Sequence, residues 1–388
     1  MTTAMNNLPE GWKKYRLEEL LDFEQPTPYI VELNDYDDSY PIPVLTAGKS
    51  FIVGKTNETS GIYNKLPVII FDDFTTASQF VDFPFKVKSS AMKILTAKQD
   101  LILTKFAYYR MQIIKFDTST HKRYWIQQYS KQSIAIPPID EQLRIVAKIE
   151  ELFSKLDAGV ESLKKAKQQL SVYRQAVLKE AFEGCGEKKR LSEISTVISG
   201  FAFKSNKYNP NGKFTVVKIG NVKQWRLDFS KDLTKTDEAD EKIIGRYLLK
   251  YGDCLISLTG SRGKRDYGFV AMIENESDYF VNQRVAALRF NFDFAVPKFY
   301  KYYLASPGFR NEFFKYETGN VGQGNVGIKA LQEPFVVCPT LTEQAVIVRK
   351  IESSFSVCDK IEQTIDKSLK DAETLRQSIL KKAFEGGL

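Results

Sequence analysis

The residues of this sequence best suited to bind a ligand carry basic or amide side chains, and they lie on short polar stretches. A strand-like apolar run at 254–258 is followed by a glycine-flanked stretch carrying Arg262, Lys264 and Arg265. Lysine and arginine contact phosphates, and forked side chains such as arginine, asparagine and glutamine read base edges. A second polar stretch supplies Asn282, Gln283 and Arg284. The pattern predicts a nucleic-acid surface; solvated loops, or amides bonded to backbone, are the alternative interpretation.

Matched spacing extends this set to both halves of the chain. Gln323 and Asn325 lie 20 and 18 residues before one Glu-Gln pair, and His121 and Arg123 lie 20 and 18 residues before another. We therefore expect the two stretches to occupy equivalent surfaces, with His121 part of a phosphate patch. The remaining candidates in the first half are Lys49, Ser50, Thr75, Thr76, Tyr108, Tyr109, Arg110 and Lys122. For the tyrosines, packing in the core is an equal alternative.

Catalytic motifs are missing from the sequence. A P-loop needs a glycine five residues before Gly48, where Pro43 stands. The glycine-rich stretch 319–327 follows no convincing strand and is interpreted as a flexible loop. Methylase and nuclease motifs are absent, and the single histidine rules out a histidine pair. Asp72 and Asp73 could bind a metal, but a turn or a polar DNA contact explains them at least as well. We expect no catalytic residue and no metal site.

Composition narrows the class of protein. The 388 residues carry a formal net charge of +8, and the excess is uneven: +1 over residues 8–137 and +6 over residues 190–337. A basic balance favours a polyanionic partner. No apolar run is long enough to span a membrane, and residues 1–10 lack an apolar signal region. Four scattered cysteines predict neither disulfides nor a zinc site. A cytoplasmic protein is expected.

An internal repeat dominates the organisation of the chain. Residues 141–184 and 343–386 align without a gap at an offset of 202 and share 19 of 44 residues. Both copies begin Glu-Gln, continue through Lys-Ile-Glu and Phe-Ser, and end Ala-Phe-Glu-Gly. Prolines precede both copies and glycines close them, which is typical of helix boundaries.

Apolar residues in each copy recur at steps of three and four, which predicts two long helices that pair as a coiled coil. The first seam consists of Ile145, Ile149, Leu152, Leu156, Leu163, Leu170, Tyr173 and Val177. The second seam consists of Ile347, Ile351, Ile361, Ile365, Leu375 and Ile379. A narrow apolar stripe cannot be buried by one helix alone, so pairing of the two copies is the economical solution. Two separate surface helices are the alternative.

The segments between the helices are of domain size. Strand-like runs such as 68–71 and 113–116, together with helix-like aromatic stretches such as 299–304, predict mixed α/β (α+β) domains. We expect globular domains at 1–137 and 187–337 and helical segments at 138–186 and 338–388. Such a tandem repeat can fold with a pseudo-twofold axis; if the two helices run antiparallel, the domains lie at opposite ends of the helix pair.

These features together resemble the specificity (S) subunits of type I restriction–modification systems. The helix entries Ile-Pro-Pro-Ile-Asp-Glu-Gln at 136–142 and Cys-Pro-Thr-Leu-Thr-Glu-Gln at 338–344 are fairly specific for the family. Further matches are the opening at 8–17 and the domain motifs at 68–75, 252–260 and 281–284. Cys338 departs from the pattern, because a second proline is common there. The resemblance covers nearly the whole chain.

The resemblance implies two target recognition domains that each read one half of an asymmetric, bipartite site in double-stranded DNA. The helices would set the spacing and dock methyltransferase (M) subunits, of which we expect two. The M subunits would bind S-adenosylmethionine and methylate adenine. Restriction (R) subunits, whose presence the sequence leaves open, would use ATP and Mg²⁺. This chain is then expected to be non-catalytic and to hold no cofactor itself.

Three other interpretations stay open at this point. The same subunit could serve a methylation-only or type IIB-like system. From a different class, the chain could be a coiled-coil scaffold that binds proteins and not DNA, or a stand-alone enzyme. Charge reversal at Arg262, Lys264 and Arg265 would distinguish a DNA specificity subunit from the scaffold: the specificity subunit should lose DNA binding, and no loss of DNA binding would favour the scaffold.

Overall fold

A computed structural model describes residues 10–46, 50–119, 122–320 and 322–387. The contacts between residues group the chain into two compact units. The first unit contains the residues up to Leu163 together with those from Asp366 onward, and the second runs from Lys164 to Ile365. Each unit therefore combines one globular part with a portion of both long helices, a division that differs from the one expected along the chain.

The first unit is built largely from short strands. Its elements in chain order are β1 (Lys13–Arg16), α1 (Leu17–Leu20), β2 (Leu21–Glu24), β3 (Ile42–Leu45), β4 (Ile52–Thr56), β5 (Val68–Asp72), β6 (Ser78–Val81), β7 (Lys86–Val87), β8 (Met92–Ala97), α2 (Thr104–Met111) and β9 (Ser133–Ile136). The long helix α3 (Ile139–Phe182) begins in this unit. Short 3-10 turns lie at Thr27–Tyr29 and Tyr129–Lys131.

The second unit has the same kind of elements and several additions. They are β10 (Glu187–Arg190), α4 (Leu191–Ile194), β11 (Ser195–Ser199), β12 (Phe214–Val217), β13 (Val222–Lys223), β14 (Arg226–Leu227), β15 (Lys235–Thr236), α5 (Glu241–Tyr247), β16 (Cys254–Ser257), β17 (Thr259–Ser261), β18 (Val270–Met272), β19 (Tyr279–Val281), β20 (Val285–Phe290), α6 (Pro297–Leu304), α7 (Pro307–Phe314), β21 (Glu317–Gly319), β22 (Gln323–Val326) and β23 (Phe335–Cys338). The second long helix, α8 (Leu341–Phe384), begins here. Short 3-10 turns lie at Ser205–Lys207, Ile219–Asn221 and Ile328–Leu331.

The sheets of the two units have the same strand order. An antiparallel sheet runs β2-β8-β5-β6 in the first unit and β11-β20-β16-β18 in the second. A smaller sheet runs β4-β3-β7 and β15-β12-β19, with β3–β7 and β12–β19 parallel. A two-stranded pair, β1–β9 or β10–β23, precedes each long helix. This shared topology confirms the predicted tandem repeat of mixed α/β domains, whose sequences have diverged.

Burial explains the central position of β5 and β16. Every residue of both strands is buried, so each reads as a continuous run rather than an alternating one. The prediction of a strand at 113–116 is wrong, because this stretch is an irregular segment after α2. Its apolar side chains, Ile113, Ile114 and Phe116, pack against the first core from that segment. The predicted helix at 299–304 is confirmed as part of α6.

The long helices have 44 residues each and fall inside the predicted segments. They are paired antiparallel within each unit. In the second unit, Arg174 on α3 bonds to Asp359 (2.7 Å) and Glu362 (3.0 Å) on α8. In the first unit, Arg376 on α8 pairs with Asp157 on α3. These two pairs are the same residues of the repeat, shifted by 202 positions, with the helices exchanged.

The predicted seam is only partly buried. Ile145, Ile149, Ile351, Ile365 and Ile379 are buried, whereas Leu152, Leu156, Leu163, Leu170, Val177 and Ile347 are half-buried. The prediction is wrong for Tyr173, Ile361 and Leu375, which are 52%, 44% and 50% exposed. The heptad pattern predicts that each helix is paired with the other along its whole length. In the structure, however, the globular domains bury many of the apolar side chains of the helices. Buried helix residues outside the seam include Phe153, Leu178, Phe182, Phe355, Leu380 and Phe384.

The glutamine of each Glu-Gln motif fastens a domain to its helix. Gln142 Oε1 accepts from Leu103 N (2.9 Å), and Nε2 donates to the carbonyls of Leu101 and Pro137 (both 2.9 Å). The side chain is fully buried and its hydrogen bonds reach the entry to α2. Since buried polar groups are costly when unpaired, this one amide fixes both the start of α3 and the approach to α2.

Gln344 repeats this arrangement in the second unit. Its Oε1 accepts from Val296 N (2.8 Å), and its Nε2 donates to the carbonyls of Phe294 and Pro339 (both 2.8 Å). The glutamates of the two Lys-Ile-Glu motifs add a second link. Glu150 pairs with Lys105 on α2, and Glu352 with Lys298 on α6. The residues of the repeated motifs therefore hold each domain against the long helices.

The shared Ala-Phe ends of the helices complete each core. Phe182, near the end of α3, packs edge-on against Phe299 of α6, with ring centroids 5.3 Å apart. Phe384, near the end of α8, packs in the same way against Phe106 of α2 at 5.1 Å. Each domain is therefore bound by the beginning of one long helix and the end of the other.

Replacing Gln142 by alanine tests the buried amide link. We expect hydrogen exchange over residues 101–112 to accelerate roughly 10- to 100-fold, because each backbone group left unpaired and buried costs about 1–3 kcal/mol. Mass-spectrometric exchange makes the measurement. Residues 294–305, held by Gln344, serve as an internal control, and Gln169→Ala on the exposed face of α3 is the matched variant. Unchanged exchange over 101–112 would contradict the role given to Gln142.

Candidate nucleic-acid interface

In the first unit, Thr75 and Thr76 lie in the tight turn between β5 and β6. Asp72 Oδ1 accepts from Phe74 N (2.8 Å) and Thr75 N (3.2 Å), and Thr76 adopts a positive φ of 60°. An aspartate that bonds backbone two residues on is a typical turn former. The Asp72 side chain is therefore occupied with holding the turn.

The adjacent Asp73 joins this turn to the segment carrying Lys122 and Arg123. Its Oδ1 accepts from Trp125 N (2.8 Å) and its carbonyl accepts from Tyr124 N (2.9 Å). Lys122 and Arg123 are exposed beside it. Together the exposed or half-exposed side chains form the first candidate surface, which consists of Thr75, Thr76, Lys122 and Arg123.

A buried ion pair supports this surface from below. Lys93 Nζ on β8 lies 3.2 Å from Asp73 Oδ2, and both side chains are at most 2% exposed. Removing one partner of such a pair leaves an uncompensated charge in the core. The pair thus locks the turn of the first candidate surface onto the central sheet.

The three remaining candidates of the first domain outside α2 are Ser50, Lys49 and His121. Ser50 lies in the connection between β3 and β4, where its carbonyl accepts from Thr46 Oγ1 (3.1 Å). Lys49 and His121 lie outside the described residues. The predicted match between the Arg123 and Asn325 stretches agrees with the fold, since each stretch lies beside the residues that follow an equivalent strand, β5 or β16.

Tyr108, Tyr109 and Arg110 are not grouped with the first candidate surface, and for the two tyrosines packing was the alternative interpretation. They lie on α2, which packs against β5, β6 and β8 and also contacts the long helices. The Tyr109 ring contacts Phe153 edge-on at 5.7 Å, and the Arg110 guanidinium lies 5.5 Å from the Phe384 ring. Burial, with a smaller effect of nearby Glu150, raises the pKa of Tyr109 to about 12. Tyr109 and Arg110 thus contribute to packing between the domain and the long helices, whereas the Tyr108 ring also lies beside Phe80 of β6.

The two tyrosines also line a cavity of about 520 Å³ in the first unit. Its polar lining comes from the long helices, with Glu150 and Asp157 on α3 and Arg376 on α8. Arg376 lies over the Phe153 ring at 4.2 Å. The cavity therefore belongs to the helix pair and its domain contact, and not to the first candidate surface.

In the second unit, the glycine-rich stretch 319–327 contains structure where a flexible loop was predicted. β21 and β22 form a hairpin, and β22 also pairs with β17, so that Thr259 lies opposite Asn325 and Ser261 opposite Gln323. The pairing brings Gln323 and Asn325, both exposed, next to the exposed loop of Arg262, Lys264 and Arg265. The sequence pattern failed here because glycines in strands permit close approach instead of mobility.

Arg284 extends this region across a concave surface. A cavity of about 470 Å³ is lined by Ser261, Arg284, Gln323 and Lys223, among others. Lys223, in the β13–β14 hairpin, and Thr259 were missed by the sequence prediction, because only the fold brings them here. The second candidate surface consists of Arg262, Lys264, Arg265, Arg284, Gln323 and Asn325.

The two residues that precede Arg284 in the chain differ in their exposure. Gln283 is exposed, whereas Asn282 is half-buried and its backbone N–H donates to the Val217 carbonyl (3.1 Å). A side chain built on Gly200 would come within 2.0 Å of the Asn282 carbonyl oxygen. The backbone of Asn282 is therefore tightly packed beneath the surface, and a DNA contact by its side chain stays a prediction.

Within the described part of the chain, no cluster of three or more His, Cys, Asp or Glu residues could hold a metal ion. All four cysteines are free thiols. No helix among the described residues is long and apolar enough to cross a membrane. The chemical resources of the two candidate surfaces are thus hydrogen-bonding and cationic side chains.

Substituting Asp73 by asparagine tests the support of the first candidate surface. We expect a loss of about 3–5 kcal/mol, or about 10 °C in Tm, because the Lys93 charge is left buried without its partner. Calorimetry measures the shift. Adding Lys93→Met should recover more than half of the loss, while Asp22→Asn, at an exposed pair with Lys98, should leave Tm unchanged. Equal losses in the single and double variants would contradict the ion-pair explanation.

Comparison with known proteins agrees with this architecture. The family model for the type I restriction modification DNA specificity domain matches residues 9–171 and 186–371. The specificity subunit of the Escherichia coli type I restriction enzyme EcoR124I/EcoR124II is 42% identical over 240 residues, which cover 58% of each chain. The EcoBI specificity subunit, also from Escherichia coli, is 22% identical over 395 residues, covering 92% of this chain and 82% of the relative.

Solved structures share the fold. A chain from a study of complex assembly and conformational transition in a type I restriction–modification system matches with a TM-score of 0.69 at 20% identity, covering 99% of this chain and 100% of the other. The HsdS subunit from Thermoanaerobacter tengcongensis matches with a TM-score of 0.53 at 20% identity, covering 100% of both chains. Because the family model covers both repeats, this chain belongs to the family of type I restriction–modification DNA specificity domains.

Proposed function

We propose that this chain is the DNA-recognition subunit of a type I restriction–modification complex. The observation that carries the proposal is a conserved strand order that displays different polar side chains in the two domains. The first candidate surface offers two threonines, a lysine and an arginine, and the second offers four cationic side chains and two amides. These are the groups that bind phosphates and read bases.

Two different surfaces predict two different half-sites. Each domain reads one half of an asymmetric, bipartite site in double-stranded DNA, and the two long helices set the separation of the halves. A helix of 44 residues is roughly 66 Å long at 1.5 Å per residue, which is sufficient to separate recognition of two half-sites by a full turn of DNA or more. The higher net charge of the second domain gives it the larger share of phosphate binding.

The helices also dock the partner subunits in this proposal. Large apolar side chains exposed on them support protein binding, since they are costly in water: Val172, Tyr173, Val357, Ile361 and Leu375. The partners are two methyltransferase subunits that bind S-adenosylmethionine and methylate adenine. Restriction subunits, where the system has them, add ATP- and Mg²⁺-dependent cleavage. This chain contributes recognition and no catalytic group, and the complex acts on DNA in the cytoplasm.

Co-expression with an adenine methyltransferase (M) subunit of a type I system from the same genome tests the proposal. Genome-wide mapping of methylated adenine should give one two-part sequence with a fixed gap and two unlike halves, because each domain reads its own bases. Exchanging one domain for that of a relative should change one half only. The methyltransferase expressed alone is the control.

A stable complex that methylates no defined sequence would contradict the proposal and favour the protein-binding scaffold. Methylation or cleavage by the isolated chain would instead identify a stand-alone enzyme. A bipartite methylation pattern in cells without restriction would identify the methylation-only system.

A further inference from the structure

We propose that Glu317 is a positioning residue that sets how strictly the second domain discriminates between DNA sequences. It holds Arg262 and Arg265 in a defined orientation, and its negative charge opposes their indiscriminate binding to phosphates. The inference rests on the proposed function, because it assigns a role in DNA reading to these arginines. Glu317 itself was not among the residues that the sequence pointed to.

Glu317 on β21 is the only carboxylate in the described structure that contacts both of these arginines. Its Oε2 lies 3.9 Å from Arg262 Nε and 3.8 Å from Arg265 Nη2, and its Oε1 accepts a hydrogen bond from the Tyr267 hydroxyl. The carboxylate side chain is 9% exposed, whereas the two arginine side chains are 44% and 53% exposed. Both arginine side chains thus remain partly exposed to solvent, while the largely buried carboxylate of Glu317 contacts them from the protein side.

Paired glycines make room for this contact. Gly260 on β17 lies opposite Gly324 on β22. A Cβ at Gly324 would come within 2.1 Å of the Tyr267 hydroxyl, and a Cβ at Gly260 within 2.7 Å of the Tyr267 ring. Only glycine at both positions lets the tyrosine reach Glu317. Gly324, one glycine of the stretch 319–327, therefore leaves the space that this link needs.

Further contacts fix the arginines from their other side. Arg262 Nη1 donates to the Gly319 carbonyl (3.0 Å), and the Arg265 guanidinium lies 4.6 Å from the Phe314 ring. Arg310 lies on the same ring at 5.1 Å and donates to the Gly268 carbonyl (2.6 Å). Burial, and secondarily the charge of Arg265, lowers the pKa of Arg310. Two cationic side chains, Arg262 and Arg265, therefore lie beside one carboxylate, and Glu317 offsets the repulsion between them.

This arrangement has opposite effects on two kinds of binding. A carboxylate near the DNA weakens attraction to every phosphate, whatever the sequence. The same carboxylate reduces the conformations available to Arg262 and Arg265, which favours the geometry that correct bases require. A purely structural residue would alter both kinds of binding in the same direction, and this difference makes the inference testable.

The test uses the full chain in complex with its methyltransferase subunits and three DNA duplexes. One duplex carries the mapped bipartite site, one has the second half-site scrambled, and one has the first half-site scrambled. Kd is measured for each at two salt concentrations. Glu317→Gln keeps the shape of the side chain and an acceptor for Tyr267 but removes the charge. Glu312→Gln is the matched control, since Glu312 is an exposed carboxylate in the same domain, paired with Lys315.

We expect Glu317→Gln to bind the duplex with a scrambled second half about threefold more tightly, since a repulsive charge is lost. Its preference for the correct second half should fall about tenfold, while discrimination at the first half stays unchanged. Tyr267→Phe retains the charge but loses the hydrogen bond. It should lower the preference for the second half without tightening binding to the scrambled duplex. Glu312→Gln should leave the preference unchanged.

Three results would overturn the inference. Glu317→Gln could leave the preference intact, could weaken binding to all three duplexes equally, or could match Glu312→Gln. If Glu317→Gln does not fold, as judged by circular dichroism and melting, an unchanged preference in Tyr267→Phe overturns the inference as well. Failure of the proposed function is distinguishable, because the unsubstituted complex would then bind all three duplexes equally.

Discussion

The rest of the structure depends on two buried glutamine side chains, one in each unit. Gln142 and Gln344 each satisfy one backbone N–H and two carbonyls from segments that are otherwise far apart in sequence. Neither amide can be paired unless the long helix begins just before its residue and the domain presents its loop at the right place. One side chain thus sets the beginning of the helix and the position of the domain. The neighbouring ion pairs and the phenylalanines at the helix ends reinforce that position.

Because of this constraint, the residues that hold the domains to the helices differ from the residues that we propose to contact DNA. The shared motifs are occupied in holding domains to helices, and the reciprocal pairs Arg174–Asp359 and Arg376–Asp157 hold helix to helix within each unit. The loops after β5 and β16 carry none of these motif residues. They are free to differ in sequence while the strands beneath them keep one order. A frame of this kind allows one fold to present two unrelated sets of side chains at its surface.

Much of the fold was predictable from the sequence, and the reasons are physical. Helices of 44 residues with proline before and glycine after leave strong signals, and the 202-residue repeat shows that both halves fold alike. Burial along the helices was less predictable. Tyr173, Ile361 and Leu375 fit the heptad but are about half exposed, because a heptad states which face is apolar and not what covers it.

The candidate sites were predictable only where chemistry and exposure coincide. Arg262 and Arg265 are where a basic loop was expected. Tyr109 and Arg110 are of suitable types, but they contact Phe153 of α3 and Phe384 of α8, and a local sequence pattern contains no information about those contacts. Glu317 and Lys223 escaped notice because their roles arise from strand pairing and from a shared cavity. An acidic residue near a nucleic-acid surface also runs against the usual search for basic ones.

The central claim is that the repeated motif residues hold the domains to the long helices, whereas the loops after β5 and β16 contact DNA. Maps of methylated adenine from two variants, each co-expressed with the same methyltransferase, test it most directly. Arg284→Ala should change or relax base preference in one half of the recognised sequence and leave the other half intact. Gln344→Ala should lower methylation at every site without changing the sequence. A changed sequence with Gln344→Ala, or an unchanged one in both halves with Arg284→Ala, would contradict the account.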